Sequence, residues 1–300
     1  MTAPPDSAVD DLHRVLDLLG ARSFVALTGA GMSTDSGIPD YRGPGSPART
    51  PMTYAEFVSG PQAQQRYWAR SHLGWSRMTR AVPNDGHRAL AALEAAGRVR
   101  LLVTQNVDGL HEAAGSRSVC ALHGRISDVV CLGCRERTSR GWLQARLARL
   151  NPGWVDRHGD VQVRPDGDVE LADTSGFRVP GCESCGGVLK PDVVFFGENV
   201  PKPRVERCYA AVDALERGSD ALLVLGSSLT VMSGFRFVRR ATKLGVPVVV
   251  VNRGPTRADD LPVTRLHHGT TEFLRALAAR PCVPVPELSD ARSVGVDLNV

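Results

Sequence analysis

Apolar residues recur at helical spacing at the start of the chain: Val9, Leu12, Val15, Leu16 and Leu19, with Gly20 ending the run. Ser23 to Thr28 (SFVALT) then predicts a short strand that runs into Gly29-Ala30-Gly31. Gly, Pro and polar residues fill 41–51 and predict a mobile loop. Residues 52–80 read as helical, with Tyr54, Phe57, Tyr67, Trp68 and Trp75 among them. Asn84 caps a predicted helix that ends at Gly97, and Arg98 to Thr104 (RVRLLVT) follows as a buried strand. Near the C-terminus Ala221 to Leu225 (ALLVL) precedes Gly226-Ser227-Ser228, and a helical stretch at 233–244 precedes Val246 to Val251 (VPVVVV) and Asn252. Strands that are apolar throughout and alternate with helices predict an α/β fold, a Rossmann-like parallel sheet with helices on both faces.

Residues 125–190 break this rhythm, with many turn residues and no long amphipathic run, and predict an inserted small module. The expected division is a discontinuous Rossmann-like domain of 1–45, 84–124 and 190–282, a helical insertion at 46–83, a zinc-binding module at 125–189, and a tail at 283–300.

Composition narrows the function. With 300 residues the chain can bury a full core, and 36 Lys and Arg against 32 Asp and Glu leave +4, too small an excess for a general nucleic-acid surface. The N-terminus has no basic flank ahead of an apolar core, and the longest apolar runs are far too short to cross a bilayer. Seven Cys argue against a disulfide framework, and the pairing of four of them as C-x-x-C points to metal in a reducing cytoplasm. The expected chain is cytoplasmic, with no nucleic-acid or membrane partner.

Cys131 and Cys134, with Cys182 and Cys185, offer four thiolates that close a tetrahedral Zn²⁺ shell; with no open position, the zinc is structural. Gly133, Gly181, Gly186 and Gly187 supply the turns, although 47 residues between the pairs exceed a zinc ribbon's usual spacing. Cys120, Cys208 and Cys282 read as buried small residues.

Gly29 and Gly31 let backbone approach a pyrophosphate ahead of a helix N-terminus, although Thr34 stands where the dinucleotide fingerprint has its third Gly. Gly226-Ser227-Ser228 and Asn252 repeat the pattern in the second half-sheet; ordinary strand-to-helix turns would read the same way one at a time. Gln105, Asn106 and Asp108 follow a strand end, where open sheets keep ligands, and suit a carboxamide and ribose hydroxyls. His123 beside Gly124 is a candidate general base, with His87, His111, His267 and His268 as competitors.

Taken together, these pieces resemble the sirtuins, NAD-dependent protein deacylases. GAGMSTDSGIPDYRG (29–43) and TQNVDGLH (104–111) look like the family's NAD motifs, Leu122-His123-Gly124 its catalytic histidine motif, and KPDVVFFGE (190–198) its acyl-lysine and peptide-binding strand. Gly226-Ser227-Ser228-Leu229 and Val251-Asn252 resemble its adenosine side, and the likeness spans residues 10–280 in family order. Tyr41, QRYWARS (65–71) and the long gap between Cys pairs resemble the class II branch, which includes the mitochondrial sirtuin 4.

The resemblance implies that NAD lies across the sheet's C-terminal edge. Gly29, Ala30, Gly31, Asp40, Tyr41 and Arg42 would border its pyrophosphate and nicotinamide ribose, and Gln105, Asn106 and Asp108 its nicotinamide end. Gly226, Ser227, Ser228, Asn252 and Thr270 would complete the site. The acyl-lysine oxygen attacks the ribose carbon, and His123, with Asn106 and Asp108 as catalytic partners, takes a proton from a ribose hydroxyl. Nicotinamide, O-acyl-ADP-ribose and free lysine result. Peptide would pair with Phe196-Gly197-Glu198 and the segment after Ser228, with Val194 and Phe195 lining the lysine tunnel. Tyr67 and Arg70 share a helix face and resemble the pair that binds acidic acyl chains in desuccinylase-type sirtuins; a packed Tyr and a solvated Arg would also fit. The alternatives are a protein ADP-ribosyltransferase using the same NAD site, a non-catalytic NAD or zinc interaction module, and a Rossmann dehydrogenase carrying structural zinc.

Overall fold

A computed structural model describes residues 5–40, 51–158, 169, 171 and 173–280. Residues 41–50 of the loop expected at 41–51, with Tyr41 and Arg42, and the tail from 281, with Cys282, lie outside the described residues. Helix α1 (Pro5–Leu19) leads into β1 (Ser23–Thr28), and α2 (Tyr54–Phe57), α3 (Pro61–Met78) and α4 (Asp85–Ala95) precede β2 (Val99–Thr104). After α5 (Leu110–Ala113) come β3 (Val119–Ala121), β4 (Gly124–Cys131), β5 (Arg137–Ser139), α6 (Arg140–Leu150), α7 (Trp154–Arg157) and β6 (Leu189–Val193). The chain returns through α8 (Lys202–Asp213), β7 (Asp220–Leu225), α9 (Met232–Leu244), β8 (Val248–Val251), β9 (Thr264–Leu266) and α10 (Thr270–Ala279).

The main sheet is six-stranded in the order β3-β2-β1-β7-β8-β9, with every pairing parallel. Its strands are apolar on both sides because both sides are covered. Phe24 and Ala26 pack with Leu16, Leu90, Phe273 and Leu277 of α1, α4 and α10. Val25 and Leu27 point the other way, onto Val212, Phe237 and Val238 of α8 and α9. The chain leaves β1 for β2 on one side, while β7 lies on the other, so the sheet's switch point falls between the C-terminal ends of β1 and β7.

A second, three-stranded antiparallel sheet, β5-β4-β6, carries the cysteines. The helical insertion and the cysteine-bearing segment share one core: Phe57, Tyr67 and Trp68 pack with Val129, Leu143, Leu189 and Phe195. Helix α6 lies where the sequence shows no amphipathic run, and Arg140 is the reason. This arginine opens the helix fully buried, its guanidinium 5.2 Å from the Trp68 ring and 4.8 Å from the Trp75 ring, and it donates to the Ser71 carbonyl at 3.2 Å. A cation on the inner face blurs the hydrophobic pattern that would reveal the helix. Among the described residues, no helix is long and apolar enough to cross a membrane.

Buried imidazoles make the fold acid-sensitive. The rings of His87 and His111 lie 4.7 Å apart. Burial, then the charge of Arg88, lowers His87 to about 4, and burial with the neighbouring His87 lowers His111 well below its ordinary value. Burial and Arg140 lower His72 to about 4. Above about pH 6.5 these groups are neutral in both states and contribute nothing; below it the unfolded chain binds protons that the native chain does not. Stability therefore falls as pH drops from about 6.5 towards 4, by up to about 1.4 kcal/mol per pH unit for each histidine. A melting temperature constant from pH 7 to 8 and falling steeply below 6 is expected; a flat profile down to pH 4.5 would contradict these environments.

Candidate active site

The switch point is built from two glycine turns that touch. Gly31 N–H donates to the Gly226 carbonyl at 2.9 Å, a Cβ on Gly29 would lie 2.7 Å from that oxygen, and one on Gly226 would lie 2.6 Å from Gly31 C. Gly226 also has φ +60, which any larger side chain resists. After Gly29 the chain makes two short 3₁₀ turns, Ala30–Met32 and Thr34–Ser36, rather than the α-helix expected from sequence. The missing third glycine follows from this, since its place in the fingerprint is to seat a helix on the strand. Gly226→Ala is expected to cost about 1–3 kcal/mol of stability from the backbone conformation alone. It also displaces the 29–31 turn, and NAD titration by calorimetry is expected to show at least about tenfold weaker binding; unchanged affinity would detach this turn from the dinucleotide.

A cavity of about 560 Å³ opens at these turns. Gly29, Ala30, Gly31, Asp40, Tyr67, Gln105, Asn106, Asp108, His123, Val194, Phe195, Phe196, Gly197, Glu198, Gly226, Ser227, Ser228 and Asn252 all line it. Among the described residues, two candidates named for the site do not. Thr270 is buried behind the turn, its hydroxyl donating to the Gly31 carbonyl at 3.4 Å. Arg70 is absent from that lining, its Nε donating to the Val169 carbonyl at 2.6 Å, while Tyr67 of the same helix lines the wall. Tyr67 stands among Phe57, Trp68 and Phe195, with centroids at 5.4, 5.1 and 5.2 Å.

Among the described residues His123 is the one histidine that lines the cavity; His87 and His111 lie against each other, tilted by 58°, outside that lining. Its Nδ1 lies 2.9 Å from the Gln105 carbonyl, which can only accept, so Nδ1 carries the proton and Nε2 the lone pair. Nε2 in turn lies 2.7 Å from the Ser233 hydroxyl. Burial lowers the imidazole to about 4 against the raising effect of the Gln105 bond, with Arg204 lowering it further, so the ring is a neutral base at pH 7.

The amide and carboxylate cluster is prearranged. Asn106 Nδ2 donates to the Gly29 carbonyl and to Ser33 Oγ, both at 3.0 Å, and Ser33 Oγ donates to Asp108 at 2.7 Å. The Leu110 N–H donates to the other Asp108 oxygen at 2.9 Å. Burial pushes this carboxyl above its ordinary value, despite those bonds. The Gln105 amide reaches across to Ser227 Oγ at 2.9 Å, and Gly234 permits it, since a Cβ there would lie 2.6 Å from Oε1. Gln105 therefore ties the two half-sheets together and braces His123, while it also lines the cavity.

The segment expected to bind peptide is held by an internal ion pair. Lys190, buried, pairs with Glu198 at 2.9 Å and donates to the Val193 carbonyl at 2.5 Å, while Glu198 accepts from the Phe195 N–H at 2.9 Å. Sequence reading missed Ser33, inside the first glycine motif, and Ser233, just beyond the second; neither has a spacing signature, because each is recruited by the fold.

The four Sγ atoms of Cys131, Cys134, Cys182 and Cys185 lie within 4.8 Å of one another, with Cys131–Cys185 at 3.5 Å and Cys134–Cys182 at 3.7 Å. A tetrahedral zinc with Zn–S bonds of about 2.3 Å sets sulfur pairs about 3.8 Å apart, so the residues fit one closed structural zinc. A Cβ on Gly187 would come 3.0 Å from Cys131 Sγ and 3.1 Å from Cys185 Sγ, which explains the glycine there.

A doubly wound sheet with a ligand cavity at its switch point, a neutral histidine in the wall and a four-cysteine cluster on a separate small sheet defines an α/β protein suited to an extended dinucleotide. The profile described as "Sir2 family" matches residues 29–233, and the chain belongs to that family, the sirtuins. A protein of Mycobacterium avium (strain 104) named NAD-dependent protein deacetylase 1 is 52% identical over 272 residues, covering 90% of this chain and 95% of its own. The protein of the same name from Streptomyces coelicolor (strain ATCC BAA-471 / A3(2) / M145) is 54% identical over 267 residues, covering 88% and 87%. Among solved structures, one described as "Sir2 bound to acetylated peptide" has a TM-score of 0.68 at 29% identity, covering 89% of this chain and 96% of its own. Another, "Sir2-p53 peptide-NAD+", has a TM-score of 0.64 at 29% identity, covering 92% and 97%.

Proposed function

We propose that this protein is an NAD-dependent protein-lysine deacylase that transfers the acyl group to ADP-ribose and releases nicotinamide. The observation that carries this reading is His123, a neutral imidazole with Nδ1–H pinned to the Gln105 carbonyl and its lone-pair nitrogen at the wall of the switch-point cavity. The names and ligands of relatives matched over nearly their whole length support it.

Bound NAD supplies an electrophilic ribose carbon with nicotinamide as its leaving group. The chain does the rest. The touching turns at Gly29–Gly31 and Gly226 leave room for a pyrophosphate against bare backbone, and Ser227, Ser228 and Asn252 face the adenosine side. Asp108, with its oxygens fixed by Ser33 and Leu110, orients the carboxamide. Tyr67 and Phe195 exclude water from the acyl-lysine, and His123 receives the proton of a ribose hydroxyl. Peptide adds as a strand between Phe196–Glu198 and the segment after Ser228. Tyr67 and Phe195 give the acyl pocket an aromatic wall, which suits acetyl and other short neutral chains.

We retain the domain division read from sequence and treat its helical insertion and zinc-binding module as one small lobe, a reading supported by the core that Phe57, Tyr67 and Trp68 share with Val129, Leu143 and Leu189. We also assign the chain to the class II branch, on Tyr41, the 65–71 segment and the gap of 47 residues between Cys pairs. Four zinc-held thiolates fit a reducing cytoplasm.

Incubation with NAD and a panel of acetylated, longer-chain and succinylated peptides, followed by weighing of products, tests the reading. Acetyl-lysine is expected to be lost with equimolar nicotinamide and O-acetyl-ADP-ribose. ADP-ribose attached to protein, with no acyl transfer, would favour the transferase instead; NAD reduction without nicotinamide release would favour a dehydrogenase.

A further inference from the structure

The lone pair that makes His123 a base does not face open space. Its Nδ1–H is committed to the Gln105 carbonyl, so Nε2 must accept the Ser233 O–H at 2.7 Å. Ser233 is 8% exposed, lies in the first turn of α9 and lines the same cavity as His123. Its position is fixed by its neighbour, since Gly234 brings α9 tight against the Gln105 amide. The serine therefore cannot retreat without undoing the contact that braces the histidine. A hydroxyl donates one hydrogen bond while accepting others, so it can pass on a proton without leaving its place.

Resting on the deacylase reading, we propose that Ser233 is a proton relay between a nicotinamide-ribose hydroxyl and His123. The ribose O–H bond breaks as its proton bonds to Ser233 Oγ. In the same step the original Oγ–H bond breaks and that proton bonds to Nε2. Serine ends neutral, His123 ends as imidazolium, and the ribose oxygen keeps the electron pair with which it attacks the acyl carbon. The imidazolium then returns its proton to the departing lysine amine, and a solvent water supplies the hydroxyl that completes O-acyl-ADP-ribose, its second proton going to the amine. Gln105 stabilises the charged ring through its carbonyl, so the serine, the histidine and the glutamine backbone form one line of transfer.

The test compares Ser233→Ala with Ser233→Thr, which restores a hydroxyl. In ligand-free protein with ¹⁵N-labelled histidine, Ser233→Ala is expected to move the His123 Nε2 resonance downfield as the hydrogen bond is lost, and Ser233→Thr to return it. In single turnovers of an acetylated peptide with NAD, Ser233→Ala is expected to slow acyl transfer about 100-fold. Exchange of labelled nicotinamide into NAD, which precedes the proton step, is expected to change far less, and the threonine variant to recover most of the transfer rate. In mixed H₂O and D₂O the wild-type single-turnover rate curves as two moving protons require, and the alanine variant gives a straight line. Wild-type transfer rates in Ser233→Ala, an unmoved Nε2 resonance, or equal loss of exchange and transfer would each overturn the relay. A wild-type protein that supports neither exchange nor transfer would overturn the deacylase reading itself, and is told apart because it fails before any substitution is made.

Discussion

His123→Ala is expected to lower deacylation by about 10²–10⁴-fold in kcat, the range that a positioned general base contributes, with the fold and NAD affinity retained. The ring is half-buried between Gln105 and Ser233, and both of its nitrogens are committed by hydrogen bonds rather than by core packing. Alanine therefore removes the base without opening the hydrophobic clusters on either face of the sheet. The depressed imidazole sets the pH profile. With its folded value at about 4, the lone pair is available throughout the neutral range and is lost only as pH falls through that value. Loss of activity near pH 6.5 would mean that the histidine is solvated. The decisive readout is single-turnover acyl transfer alongside calorimetric NAD titration; a variant that binds NAD and still turns over at the wild-type rate would remove His123 from the chemistry.

Cys131→Ser, or removal of zinc by a chelator, is expected to collapse the small lobe. Structural zinc sites are worth about 10–16 kcal/mol in small peptides, as much as the whole stability of many domains, about 5–15 kcal/mol. Cys131 and Cys182 are themselves part of the core that holds Tyr67 and Phe195. The consequence reaches the cavity along two strands. Strand β4 runs from Gly124, next to His123, to Cys131, and β6 runs from Leu189 to Val193, next to Val194, whose N–H donates to the His123 carbonyl at 2.8 Å. The cluster thus clamps one end of a strand pair whose other end carries His123 and Val194. Elemental analysis should find one zinc per chain, and the zinc-free protein should lose near-ultraviolet circular dichroism and fall at least about 100-fold in activity. A zinc-free protein with unchanged melting and turnover would contradict this role.

Much of the main sheet is legible in the sequence because its strands are continuous apolar runs closed by glycine turns. SFVALT, RVRLLVT and ALLVL become β1, β2 and β7 within a residue or so. The cysteine spacing likewise discloses the metal cluster, since four thiolates in two short turns have few other uses. Less legible is whatever depends on a distant partner. Strand β3 has only three residues and gains its place from β2. Helix α6 hides behind the buried Arg140, and α8 alternates charged and small residues along one exposed side. At the site, Ser33 and Ser233 acquire roles only once β1, β2 and α9 converge. Arg70 shows what spacing omits: it places the residue on the helix face of Tyr67 but does not disclose that the Val169 carbonyl accepts from its Nε. Local spacing fixes which face a side chain leaves from, while the surrounding fold decides what it reaches.

A crystal structure with NAD and an acetylated peptide bound tests the central claim most directly. The account predicts the dinucleotide along the Gly29–Gly31 and Gly226 turns, with a nicotinamide-ribose hydroxyl about 2.6–3.2 Å from Ser233 Oγ or His123 Nε2. A furanose lying beyond the reach of both, or an imidazole turned away from it, would contradict the account.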